Sequence, residues 1–243
     1  MSRKTRRNHP YPGHGASQAE PAATRSRFGR LGILGFTGVA VLVVLGAGTL
    51  LFKSKGTASG QLADTTAAAA LASDQAPTLG DANARVHIVE FLDPACETCA
   101  QFYPLVKKLV ADNPGQVRVS LRHVAFHEGS DYVVRILEAS RKQDKYWPTL
   151  EAVLTSQAMW APNHTAQPEL VLQAIAGVDL DMAQLVADMN APDVAQRVEQ
   201  DRNDAIAMKV TATPEYFVNG RPLPSFGDQQ LLTLVGEELQ RAY

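Results

Sequence analysis

The sequence predicts an α/β domain in which a βαβ unit and a ββα unit are separated by a helical insertion, preceded by one transmembrane helix. Three observations carry this. An uncharged apolar run of 22 residues, LGILGFTGVAVLVVLGAGTLLF, occupies positions 31–52. Strand, helix and strand signals follow one another from position 86, and a strand, turn, strand and helix close the chain. Between about positions 130 and 208 the apolar residues recur only at helical intervals.

The apolar run comes first. At 1.5 Å per residue it makes about 33 Å of helix, enough for a hydrocarbon core of about 30 Å. The apolar region of a cleaved signal peptide is about 7–15 residues long and soon meets a small-residue cleavage site. Here the run is longer, Lys53 and Lys55 follow at once, and the first A-x-A, Ala70-Leu71-Ala72, lies far downstream. A retained anchor is expected. Arg3, Lys4, Arg6, Arg7, Arg25, Arg27 and Arg30 precede the run against the single acid Glu20, which keeps residues 1–30 in the cytoplasm and exports the rest.

The exported part is acidic. From Gly56 onward it holds 14 Lys/Arg and 24 Asp/Glu, a net charge of −10. That argues against nucleic acid as a partner and leaves the basic arm a topogenic, lipid-facing role. Residues 53–77 are small, polar and Ala-rich, and are expected to form a flexible tether. Residues 78–243 have the size of one domain.

Within that domain Val86, Ile88, Val89, Phe91 and Leu92 form a β-rich run ended by Asp93-Pro94. Phe102, Leu105, Val106, Leu109 and Val110 then repeat at helical spacing until Asn113-Pro114-Gly115, with Pro104 expected to kink the helix. QVRVSLRHVAF is a second strand, in which Val117, Val119, Leu121 and His123 alternate with Arg118, Ser120 and Arg122. SDYVVRILEASRKQDKYWPTLEAVLTSQAMW and PELVLQAIAGVDLDMAQLVADM supply the helical insertion, with Trp147 and Trp160 as packing anchors. VTATPEYFVNGRPLP reads as strand, Asn219-Gly220 turn and strand, and DQQLLTLVGEELQRAY as an amphipathic helix.

The only two cysteines of the chain, Cys96 and Cys99, enclose Glu97 and Thr98 at the start of the first helix. Unpaired amides and a partial positive charge at a helix amino terminus stabilise a thiolate, the attacking species in disulfide exchange. The spacing makes Cys96 the nucleophile, partly exposed, and Cys99 the buried partner that resolves a mixed disulfide. A metal site, copper included, would need further soft or imidazole ligands, for which His87, His123 and His127 are the candidates. An inert disulfide would close too short a loop to remove much chain entropy. A tethered chaperone or adaptor with incidental cysteines is a third alternative.

The order of these motifs resembles the thioredoxin superfamily, in particular its DsbA-like branch of exported thiol–disulfide oxidoreductases. PTLGDANARVHIVEFLDPACETC, Pro104, the helical insertion and TATPEYFVNG carry the resemblance, which covers about residues 78–243. It implies a thioredoxin-like fold, with Cys96 attacking and Cys99 resolving. It also implies a cis-proline at Pro214, with Thr213 against the active-site sulfur and both offering backbone to a substrate. Glu90 would be a buried acid that exchanges a proton with Cys99. No diffusible cofactor or metal is implied. The implied partners are protein clients with thiols or disulfides and a membrane redox partner that resets the pair. The Glu97-Thr98 dipeptide departs from the histidine of strong oxidants in the branch and from the Gly-Pro of thioredoxins. A carboxylate beside Cys96 disfavours the thiolate, so Glu97 predicts a weaker oxidant than the histidine-containing members.

Overall fold

Five strands, β1 (Thr78–Gly80), β2 (Val86–Leu92), β3 (Val117–His123), β4 (Glu215–Val218) and β5 (Arg221–Pro222), form one sheet in the order β1-β3-β2-β4-β5. The structure is a computed structural model that describes residues 70, 71 and 73–243. The expected anchor at 31–52 and most of the expected tether lie outside the described residues. Among the described residues no helix is long and apolar enough to cross a membrane.

Helix α1 (Glu97–Asp112) links β2 to β3, which run parallel with Val86 opposite Val117 and Leu92 opposite His123. It ends at Asn113, as the Asn-Pro-Gly stop predicts, and continues through Pro104. The other strand pairs are antiparallel. Asn219 (φ 49°) and Gly220 (φ 81°) both adopt left-handed backbone between β4 and β5, the pair of conformations a two-residue hairpin turn requires. Helix α8 (Asp228–Ala242) then buries Leu231, Leu234 and Val235 in the core.

Strand β1 was not foreseen. Three residues of TLG carry no periodicity, and pairing with β3 holds them in place. Gly80 is needed there: its φ is 104°, and a Cβ would stand 2.7 Å from the Val117 carbonyl oxygen.

The insertion comprises α2 (Ser130–Ser140), α3 (Tyr146–Thr155), α4 (Gln157–Trp160), α5 (Pro168–Ala174), α6 (Met182–Met189) and α7 (Pro192–Ala207). Proline opens α5 and α7, where its missing N–H costs nothing, and Asp181 caps α6 by accepting from the Gln184 amide at 2.9 Å. Trp160 is fully buried, with its indole N–H donating to the Val153 carbonyl at 2.8 Å, and Trp147 packs partly buried against the same core.

Alternating residues divide the sheet between two cores. Ile88, Leu92, Val119, Leu121, Tyr216 and Val218 pack with α1, α8 and much of the insertion. Val89, Phe91 and Phe217 pack with Leu71, Val124, Ala205 and Val210 on the other face. That second core corrects the reading of β3, whose Ser120 and Arg122 were set apart as the polar face. Both are buried, because α7 contributes Ala205 to the core on their side and Asp201 and Asp204 to Arg122. Arg122 Nε donates to Asp201 at 2.6 Å, Nη1 to the Ala70 carbonyl at 2.5 Å, and Nη2 to Asp204. Packing of the domain therefore reaches back to Ala70 and Leu71, residues assigned from the sequence to the tether.

Candidate active site

Cys96 is the N-cap of α1 and Cys99 lies on its first turn. Both are free thiols, 6% and 0% exposed. The expectation that Cys96 would be partly exposed needs correcting: the loop carrying Thr213 covers it. When protonated, Cys96 Sγ donates to the Thr213 carbonyl at 3.2 Å, and the Thr213–Pro214 peptide bond is cis.

Two hydrogen-bonded clamps fix the segment that presents Cys96. Asp93, fully buried, accepts through Oδ1 from the Ala95 amide (2.8 Å) and the Ser130 hydroxyl. Its Oδ2 accepts from the amides of Phe126 (2.7 Å) and His127 (3.0 Å), with His127 Nδ1 at 2.8 Å. From the insertion, the buried Gln157 Nε2 donates to the carbonyls of Pro94 (2.7 Å) and Cys96 (2.9 Å). Asp93 had been read only as a turn residue, and Gln157 carried no signal at all, since its partners lie 63 and 61 residues away in the chain.

The two thiols differ sharply in acidity. A hydrogen bond from the Cys99 thiol lowers the Cys96 pKa to about 5; burial opposes this, and the Thr213 side chain and the backbone amides of Cys99 and Thr98 reinforce it. Cys99 is pushed well above the ordinary thiol range, mainly by burial and then by the Cys96 bond and the Glu90 charge. Glu97 is exposed, and Thr98 acts on Cys96 through its amide.

Behind the pair, Glu90 is fully buried on β2 and accepts from the Tyr216 hydroxyl at 3.2 Å through Oε1. Burial raises its pKa to about 8, against the lowering effect of that hydrogen bond, with a smaller upward push from Cys96. Glu90 is thus a buried acid. Tyr216 is both core and the one side-chain donor to Glu90 among the described residues.

Beside the cysteines, Thr98, Thr213, Pro214, Tyr216, Leu223 and Phe226 line a cavity of about 290 Å³. The exposed Phe226 ring stands 4.6 Å from that of Phe102. The three histidines weighed as metal ligands each have a protein partner. His87 Nε2 is 2.8 Å from Ser120 Oγ, and burial, then Arg118, lowers its pKa to about 4. His123 bridges Glu138 (3.1 Å) and the Tyr146 hydroxyl (3.0 Å), and His127 meets Asp93. Donor atoms of His123, Glu138 and Asp201 lie within 4.8 Å of one another, but Arg122, Arg141 and Arg197 already neutralise these carboxylates. A metal ion there would have to displace guanidinium groups.

Comparison with known proteins agrees with this geometry. A family profile described as thioredoxin matches residues 72–235. The chain is 32% identical over 162 residues to a Na(+)/H(+) antiporter NhaA of Herminiimonas arsenicoxydans, covering 67% of this chain and 25% of that protein. It is 28% identical over 159 residues to disulfide bond formation protein D of Bacillus subtilis (strain 168), covering 63% of this chain and 71% of that one. The chain therefore spans about a quarter of the length of the antiporters it matches. A thioredoxin-like oxidoreductase from Silicibacter pomeroyi DSS-3 superposes with a TM-score of 0.62 at 30% identity, over 72% of this chain and 98% of that one. Oxidised BdbD from Bacillus subtilis does so with a TM-score of 0.59 at 26% identity, over 68% and 94%. By the family profile, which covers most of its length, the chain belongs to the thioredoxin family, and the solved structures it superposes on share its fold.

Proposed function

We propose that this chain is a membrane-tethered, extracytoplasmic thiol–disulfide oxidoreductase that exchanges disulfides with protein clients through Cys96 and Cys99. The observation that carries the reading is the placement of the pair, with Cys96 as the N-cap of α1 against Thr213 and Cys99 fully buried on the first turn behind it; the acidities agree with it. At neutral pH Cys96, with a pKa of about 5, is a thiolate, while Cys99 keeps its proton. One sulfur is ready to attack, or to leave, and the other is held in reserve.

In the oxidising direction a client thiolate attacks Cys96 of the Cys96–Cys99 disulfide, forming a mixed disulfide and releasing Cys99, which takes up a proton. A second client thiolate attacks the client sulfur, and Cys96 departs as a thiolate. The client has lost two electrons and the pair has gained them. In the reducing direction the Cys96 thiolate attacks a client disulfide, and Cys99, giving its proton to Glu90, attacks Cys96 and expels the client thiolate. A low-pKa Cys96 stabilises the reduced pair, which favours the oxidising direction. Thr213 and Pro214, at the mouth of the 290 Å³ cavity, offer the surface on which a client segment would lie. A membrane redox partner would reset the pair, with residues 31–52 as anchor, 53–77 as tether and 78–243 outside.

Trapping tests this reading. With Cys99→Ala, clients should accumulate as mixed disulfides on Cys96, in the membrane fraction and within reach of a membrane-impermeant thiol reagent in intact cells. No trapped client, or complexes reachable only after lysis, would reject the activity or the topology respectively.

A further inference from the structure

The resolving step needs a base for the Cys99 proton, and the surroundings of Glu90 show how that base is controlled. Tyr216 on β4, Cys96 and Cys99 at the start of α1, and Tyr103 further along α1 are the titratable groups coupled to Glu90. Its β3 neighbour is the apolar Leu121. The Tyr103 hydroxyl reaches Glu151 at 3.4 Å, and Glu151 pairs with Lys107, half exposed; the buried Asp93, three residues on from Glu90, is held by Ala95, Ser130, Phe126 and His127. Glu90 Oε1 is taken by Tyr216, and Oε2 has no hydrogen-bond partner among the described residues.

We infer that the Tyr216 hydroxyl decides when Glu90 can take the Cys99 proton, which makes Tyr216 a positioning residue for the resolving step. This rests on the proposed exchange activity and deepens it. A buried carboxylate with no donor would stay protonated and useless as a base. One donated hydrogen bond favours the ionised form without locking it. The proton then passes from Cys99 Sγ to the carboxylate, with Oε2 the oxygen left open. The Cys99 thiolate attacks Cys96 of the mixed disulfide, the Cys96–Cys99 bond forms, and the client thiolate leaves. Tyr216 keeps its own proton throughout: burial, then the charges of Glu90 and Cys99, hold its hydroxyl well above the usual range.

The test uses the reduced full-length protein in detergent and an aromatic disulfide whose released thiolate is coloured. The first equivalent released reports Cys96, and the second reports attack by Cys99. In the wild type the second rate should rise with pH through the ionisation of Glu90. Tyr216→Phe keeps the ring beside Phe102 and removes only the hydroxyl; Tyr216→Leu is a second hydroxyl-free variant. A hydrogen bond to a charged group is worth about 1.5–3 kcal/mol, so the inflection should move up by about one pH unit or more. Below it the second release should slow about tenfold, and by more than the first. Glu90→Gln should abolish the inflection, and adding Tyr216→Phe to it should change nothing further. A Tyr216→Phe protein with the wild-type inflection would overturn the role of Tyr216 alone. A wild type that never released the second equivalent would overturn the exchange reading along with it.

Discussion

Two glutamates are buried to nearly the same degree, Glu90 at 0% and Glu138 at 2% exposure, yet their acidities diverge in opposite directions. Glu90 has one neutral donor and a pKa of about 8. Glu138 meets His123 (3.1 Å), Arg141 (2.7 Å) and Arg197 (2.9 Å). Burial alone would raise its pKa too, but His123 and Arg141 together outweigh it and bring the carboxyl down to about 2. Desolvation is the common cost; the partners decide the sign. Glu138, permanently charged and fully paired, ties α2 to β3 and α7. Glu90, behind the cysteines, is left with a pKa of about 8.

The comparison predicts its largest effect at Glu138. Glu138→Ala strips a carboxylate from three basic groups and should cost about 3–5 kcal/mol in urea unfolding near neutral pH. Because its folded pKa is depressed, its contribution is complete above the unfolded value near 4.5 and fades as the pH falls towards about 2. The variant should therefore lie closest to the wild type in strong acid. A loss below about 1 kcal/mol would break the contrast.

Glu90 should respond with the opposite sign. Its folded pKa lies above the unfolded one, so the wild type is fully stable below about pH 4.5 and loses stability as the pH rises through about 8. Glu90→Gln is neutral throughout and can still accept from Tyr216. It should match the wild type near pH 4 and exceed it above pH 8 by on the order of 3 kcal/mol, while resolving mixed disulfides more slowly. Thermal unfolding at the two pH values decides this. Equal stability at both would mean that Glu90 ionises freely in the folded protein.

Much of the scaffold around these acids was legible in the sequence. Period-two and helical patterns gave β2, α1, β3, the insertion and the closing hairpin and helix, because each buries a face that its own residues announce. The cysteines declared themselves by spacing. Thr213, Pro214 and Glu90 became visible only through resemblance, since no local pattern marks an acid six residues before a cysteine. Arg122 and Glu138 were illegible for a physical reason: the groups that permit their burial lie 79 and 82 residues away for Arg122, and 15 and 59 for Glu138 at His123 and Arg197. A charge in a strand looks solvent-facing until α7 is folded over it. Tyr216 and Glu90, 126 residues apart, are the same case at the site itself.

The smallest expected effect concerns Glu97, where sequence and structure give different weight to one charge. The sequence sets a carboxylate beside Cys96 and so argues for a weaker thiolate and a weaker oxidant. In the structure the sulfur is governed chiefly by Cys99, Thr213 and the amides of α1, while Glu97 is exposed. At an exposed position the effective dielectric is high, and the term is on the order of 1 kcal/mol at most. Across a two-electron couple that is roughly 20 mV, since about 30 mV corresponds to 1.4 kcal/mol. Glu97→His should thus lower the Cys96 pKa by less than about one unit, read from ultraviolet thiolate absorbance, and make the pair slightly more oxidising in equilibrium with glutathione. Added salt should shrink the difference, as it does for any solvent-exposed charge. A shift of several units would mean that Glu97 faces the sulfur in solution. No shift in either quantity would mean that Cys99, the α1 amides and Thr213 leave the Glu97 side chain no electrostatic part in setting the potential.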